Sequence, residues 1–200
     1  MADVTEKTPG KRPARQAAGA RGYLAGMLLL AALTPACVGA QDNAAVLERR
    51  AKAALLYRFI SYVEWPESAF AKPDSPFTIG IVGADALAAE LAEFAVGRTV
   101  LKRPLAVRRL RASESAQDVQ LLFVGRDEAP QLAGILRATP AHALIVTETE
   151  GALREGSVIN FLLVDGQVRF EISLESARQR TIRLSSRLIS VAHDVHSAPP

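Results

Sequence analysis

Phe77-Thr78-Ile79-Gly80-Ile81-Val82-Gly83 decides the architecture. The run is short, apolar and free of charge, and it ends on glycine. An amphipathic strand would alternate apolar and polar residues. A continuous apolar run is read as a strand buried on both faces. Two more runs of this kind follow, Val119-Gln120-Leu121-Leu122-Phe123-Val124 and Ala143-Leu144-Ile145-Val146-Thr147. Leu105 to Leu110 reads as a further strand.

Helical patterns alternate with these strands. From Leu47 to Val63, Leu47, Ala51, Leu55, Phe59 and Tyr62 fall on one stripe, with Leu56, Ile60 and Val63 beside it. Pro66 disfavours helical geometry at Trp65, so the helix stops at Glu64-Trp65-Pro66. Asp85 is placed to cap a helix carrying Leu87, Leu91 and Phe94. Pro130 to Leu136 reads as a helix with Leu132, Ile135 and Leu136 inward. Helices alternating with apolar strands predict an α/β fold, a mostly parallel sheet flanked by helices. The end of the chain differs. Val158 to Val164 and Val168 to Ile172 flank Asp165-Gly166, a strong hairpin signal. A C-terminal antiparallel hairpin is therefore expected, with the alternation of Val168, Phe170 and Ile172 placing it at a sheet edge. Leu184 to Ala192 predicts a closing helix presenting Leu184, Leu188 and Val191, and the tail from His193 is expected to fray. The whole is read as a single-domain sandwich.

The first forty residues read as an address. Lys11, Arg12, Arg15 and Arg21 precede an apolar run from Tyr23 to Leu33, then Thr34-Pro35, then Val38-Gly39-Ala40. That is the layout of a secretory signal peptide, with cleavage expected near Ala40. The apolar run is shorter than the roughly 20 residues that span a bilayer. Met27 is an alternative start. The expected organisation is a signal peptide over 1–40 and one periplasmic α/β domain over 41–200.

Removing the leader changes the charge argument. The chain has 24 Lys and Arg against 21 Asp and Glu. The leader holds five of the basic residues and two of the acidic ones, leaving 19 of each sign. The basic character belongs to the leader and gives no support for nucleic-acid binding. Arg109 and Arg111 would share a face of an alternating strand, read as solvated. The single cysteine, Cys37, also lies in the leader, so the mature chain has no thiol and must rely on its core. Roughly 160 residues suffice, since a chain of that size buries about 70% of its surface. A competing reading makes Cys37 the lipidated first residue of a lipoprotein, which Leu33-Thr34-Pro35-Ala36 fits poorly.

Familiar catalytic patterns are missing from the sequence. It carries no phosphate loop, no paired metal-binding cysteines and no zinc-protease helix. No serine sits in a nucleophile elbow. His193 and His196 with Asp194 make a weak metal site, and Glu148 with Glu150 is as well explained by a loop. No catalytic residue, metal site or cofactor is assigned, and an enzyme is not expected. Tyr57, Tyr62 and Trp65 stand out instead, each an aromatic with a polar handle of the kind enriched at interfaces. Arg58 among them can pair or stack with a partner group. These four are the candidate partner-binding residues, while Leu55 and Phe59 read as core. Asn160, Arg169 and Glu171 read as structural.

The run Lys52 to Phe59 with Val63-Glu64-Trp65-Pro66, then Gly97-Arg98, Arg103-Pro104-Leu105, Leu122-Phe123-Val124, Gly156 to Phe161, Val168-Arg169-Phe170-Glu171-Ile172 and Leu184 to Leu188 resembles the YfiR family of periplasmic signalling proteins. The resemblance spans about residues 50 to 192. It implies a soluble periplasmic regulator with an α/β fold, a homodimer, and not an enzyme. It implies inhibition of an inner-membrane diguanylate cyclase, or a related membrane sensor, through the sensor's periplasmic domain. Cyclic di-GMP would fall, against biofilm formation. An outer-membrane lipoprotein that sequesters the inhibitor is a further implied partner. Some members carry disulfides, which the mature chain cannot form. The alternative is a periplasmic small-ligand sensor acting on another membrane partner. Ligands of α/β domains bind at the carboxyl ends of strands. Here those ends fall near Gly83-Ala84-Asp85, Gly125-Arg126-Asp127 and Thr147-Glu148, with Arg126 able to grip an anion. A cryptic hydrolase is the third and weakest reading.

Overall fold

The computed structural model describes residues 38–197. Residues 1–37, most of the expected leader and with it Cys37, lie outside the described residues, and the fold below is that of the unit Asp42–Pro200. The order is helix α1 (Val38–Ser61), strand β1 (Val63–Glu64), β2 (Phe77–Val82), α2 (Asp85–Ala95), β3 (Thr99–Val100), β4 (Arg103–Leu110) and β5 (Leu121–Val124). Then come α3 (Leu132–Ala138), β6 (Leu144–Thr147), β7 (Ile159–Val164), β8 (Gln167–Ser173), α4 (Leu174–Gln179), β9 (Arg183–Leu184), α5 (Ser186–Ser190) and β10 (Asp194–His196). Eight strands form one sheet in the order β10-β8-β7-β6-β5-β2-β4-β3, and β1 pairs with β9 in a separate antiparallel ribbon.

Five neighbouring strands, β4-β2-β5-β6-β7, run parallel. Their spatial order is 2-1-3-4-5 in chain sequence, the doubly wound order of flavodoxin-like sheets. Both faces of such a sheet must be covered, and the apolar runs divide accordingly. On β5, Leu121 and Phe123 face one core with Phe59 and Ile60 of α1 and Leu87 and Leu91 of α2. Leu122 and Val124 face a second core with Leu132, Ile135 and Leu136 of α3. Gly80 faces the second side, where an added Cβ would meet Leu110, Leu122 and Val119 at 3.0 Å each. Aromatic rings centre the first core: Phe59 lies 5.9 Å from Phe161 and 5.1 Å from Phe170. Such pairs add about 0.5–1.5 kcal/mol each beyond burial.

The hairpin follows its sequence signal. Asp165 and Gly166 take φ of 51° and 72°, the pair of positive values that a type I′ turn needs. It does not lie at the sheet edge, however. β10 pairs parallel with β8, so the tail expected to fray is a strand. His196 Nε2 sits 3.1 Å from Glu171 Oε2, and Glu171 Oε1 accepts from Asn160 Nδ2 at 2.9 Å. Asn160 Oδ1 in turn accepts from the Thr147 hydroxyl at 2.8 Å. Asn160 and Glu171 are thus structural, tying β6, β7, β8 and β10 together.

Other expectations are corrected. The closing helix shrinks to Ser186–Ser190, because Leu184 is taken by the ribbon with Val63. Leu188 is buried, but Val191 is exposed. The buried apolar stripe of α1 is Ala53, Leu56, Phe59 and Ile60, Val63 follows it buried in β1, and Leu47 is exposed. Helix α4 gave no clear periodic signal. Its six residues start from Ser173, whose hydroxyl accepts the Ser176 N–H.

Two expectations test this packing. An alanine Cβ at Gly125 would lie 2.3 Å from the Gly83 carbonyl oxygen. Gly125→Ala should therefore lose about 1–3 kcal/mol of stability in urea denaturation. His142 sits in the turn before β6, its Nε2 buried without a hydrogen-bond partner, and burial lowers its pKa below 6.5. The unfolded chain then takes up the proton first as pH falls below about 6.5. Stability should fall on acidification from pH 7 to 5. His142→Gln should flatten that slope in thermal melts taken across the range.

Candidate functional site

The four aromatic-block residues separate in space. Tyr57 turns toward α2, its ring edge-on to Phe94 at 4.9 Å. Phe94, expected to point inward, is instead partly exposed and is covered by the Arg98 guanidinium at 4.0 Å. Trp65 closes onto Phe77 at 5.0 Å in an edge-to-face pair. Its indole N–H donates to the Ile60 carbonyl at 3.2 Å. Trp65 thereby fastens the end of α1 to the first strand of the parallel sheet, with its polar handle already satisfied.

Arg58 and Tyr62 lie one helical turn apart on α1 and do come together. They line one wall of a groove of 470 Å³. Val168, Arg169 and Phe170 of β8 form a second wall, and Arg187 and Leu188 of α5 a third. The floor is apolar, with Phe59, Phe170 and Leu188 all buried. Arg58, Arg169 and Arg187 are exposed at its rim. The lining includes no aspartate or glutamate. Of the three guanidiniums, only that of Arg169 has a side-chain partner among the described residues, donating to Gln167 Oε1 at 2.7 Å. A buried aromatic floor inside a ring of cations complements an apolar or aromatic side chain flanked by carboxylates. Such anchors in a desolvated pocket carry most of the energy of an interface.

Arg169 and Arg187 were not assigned to a partner surface from the sequence. Arg169 alternates along its strand with Val168 and Phe170 and reads as structural, paired with a neighbour across the sheet. Arg187 lies more than a hundred residues from Arg58, and the β1–β9 ribbon, with the Ser185 N–H donating to the Tyr62 carbonyl at 2.9 Å, brings α5 beside α1.

Sequence reasoning also passed over Lys52. It is buried at the N-terminal side of the α1 core face, 8% exposed. Its ammonium donates to both Glu48 and Glu148. A buried ammonium needs such partners, because desolvation penalises it otherwise. Arg49 and Arg50 pair with Glu90 at 2.9 and 3.4 Å and tie α1 to α2. Among the described residues, no group of three or more His, Cys, Asp or Glu could hold a metal ion. No described helix is long and apolar enough to cross a membrane.

Comparison with known proteins places this fold. The model of the DUF4154 family, described as YfiR/HmsC-like, matches residues 49–193. The chain belongs to that family, whose character is regulatory rather than catalytic. No curated protein matches the chain. One solved structure similar to it is a conserved domain protein from Vibrio cholerae O1 biovar El Tor str. N16961, at 12% identity and a TM-score of 0.45. The match covers 59% of this chain and 54% of that one, so the chain spans about half the length of that relative.

Trp65 and Arg58 should separate by stability. Trp65→Ala should cost about 2–4 kcal/mol in urea denaturation through lost packing. Arg58→Ala, on the exposed rim, should stay within about 0.5 kcal/mol of the parent.

Proposed function

We propose that the protein is an exported periplasmic regulator, its leader removed near Ala40, that represses an inner-membrane diguanylate cyclase. It would do so by binding the cyclase's periplasmic sensory domain and lowering cyclic di-GMP. The observation that carries this reading is the groove of Arg58, Tyr62, Arg169 and Arg187, an apolar floor in a cationic rim. Membership of a regulatory family supports it. Tyr57 and Trp65 serve the interface indirectly, by fixing α1 on its neighbours.

The mechanism is a population shift. A membrane sensor that signals by changing its dimer geometry is held off by a partner that binds only the inactive state. Hundredfold suppression requires a preference of roughly 2.7 kcal/mol for that state. One buried hot-spot contact is worth about 2 kcal/mol or more, so a small surface suffices. An outer-membrane lipoprotein bearing a similar acidic and aromatic segment would compete for the same groove and release the cyclase. A homodimer would present two such grooves.

The test is cellular cyclic di-GMP with the gene intact, deleted, restored, restored without residues 1–40, and restored as Arg58→Glu with Arg187→Glu. Deletion should raise cyclic di-GMP at least several-fold. Only the exported parent should return it to baseline, while the charge-reversed variant should be exported, folded and inactive. Unchanged cyclic di-GMP on deletion, with export of the parent verified, would contradict cyclase repression. Full repression by the charge-reversed variant would contradict the groove.

A further inference from the structure

A second cavity, open to solvent, lies against α1 on its N-terminal side of the groove. The loops that follow β2, β4, β5 and β6 all emerge on one edge of the parallel sheet. Together with α1 they enclose a cavity of 930 Å³. In a doubly wound sheet the crevice forms where the strand order reverses. Here β2 is followed by β4 on one side of it, while β5 and β6 are laid down on the other. The reversal therefore falls between β2 and β5. At that point Gly83 has a φ of +67°, and its carbonyl is in backbone contact with Gly125, so the two loops meet at the base of the cavity.

Charges of both signs line this space. At the β6 side, Lys52 is shared between Glu48 and Glu148, leaving one carboxylate charge in excess. Glu148 Oε1 also accepts the Arg126 backbone N–H at 3.2 Å. On the loops after β4 and β5, Arg111 and Arg126 are exposed, and their guanidiniums have no hydrogen-bonded or ion-paired partner among the described residues. Asp85 and Asp127 lie in the first turns of α2 and of the 3₁₀ turn Arg126–Gln131, where carboxylates complement the helix ends. Glu128 accepts from Gln131 at 2.8 Å. The charges left for a ligand are thus the surplus carboxylate near β6, Arg126 one strand position away after β5, and Arg111 across the cavity after β4.

We propose that this cavity binds a short zwitterionic peptide, its ammonium at the Glu48–Lys52–Glu148 wall, its carboxylate at Arg111, and Arg126 between them donating to a peptide carbonyl. Length follows from the sheet. β6 and β4 are three strand positions apart, roughly 14 Å at about 4.8 Å per step. An extended tripeptide spans about 10 Å, and the reach of the arginine side chains covers the rest. A single amino acid would be too short to meet both walls. The cavity lies at the upper end of the roughly 300–1,000 Å³ range of small-ligand sites. The site does not depend on the proposed cyclase repression, and its test uses no cyclase.

Calorimetric titration of the purified protein with trialanine, N-acetyl-trialanine and trialanine amide tests this. Trialanine should bind saturably, and blocking either end should weaken binding at least tenfold. The Arg111→Ala, Arg126→Ala double variant alters only exposed side chains. It should keep the parent circular dichroism and bind trialanine at least tenfold more weakly. No saturable heat from trialanine would overturn the proposal. So would affinity unchanged by acetylation, or by amidation, or by the double variant.

Discussion

A parallel sheet cannot be left with a bare face, and the rest of this structure follows from that constraint. β2, β5 and β6 are apolar on both sides, so each side needs its own cover. α3 covers one, and α1 with α2 covers the other. α1 has the larger task. Leu56, Phe59 and Ile60 are its fully buried residues, and Phe59 alone meets two aromatic rings from β7 and β8. Transfer of one such side chain out of water is worth about 1.5–3 kcal/mol.

The same helix shapes both the groove and the cavity. Its N-terminal half carries Glu48 and Lys52 to the carboxyl edge of the sheet. Its C-terminal half carries Arg58 and Tyr62 to the groove against β8 and α5. Two fasteners hold it in place: the Lys52 ammonium between two carboxylates at one end, and Trp65 on Phe77 at the other. A small rotation of α1 would alter both surfaces together. That geometry offers a physical route by which occupancy of the cavity would change affinity at the groove, since a ligand shifts an equilibrium only by its differential affinity for the two states.

Much of this was legible in the sequence. Continuous apolar runs alternating with helices specify parallel strands, because crossover helices cover both faces of the sheet, and Asp165-Gly166 specifies its turn because both positions need positive φ. The carboxyl-edge loops at Gly83, Gly125 and Glu148 were also legible, as strand ends. What was hidden depends on pairing at long range. β10 is three residues long and has no apolar run, and it is held by Glu171 and His196 as much as by its ladder. The wide apolar stripe of α1 did not say which edge faces the sheet, so Leu47 and Leu55 competed with Leu56 and Ile60. Trp65 and Tyr62 look alike as amphipathic aromatics, yet one is stapled to Phe77 and the other borders a groove. Lys52 looked like a surface lysine because its partner Glu148 is 96 residues away.

The most direct measurement of the central claim is hydrogen exchange of the protein alone and mixed with the periplasmic domain of the membrane cyclase proposed as its partner. The account predicts added protection over residues 55–62, 167–170 and 187–191, with residues 111–126 unchanged. Protection confined to the carboxyl-edge loops or to the outer face of α3, with the groove segments unaffected, would contradict it.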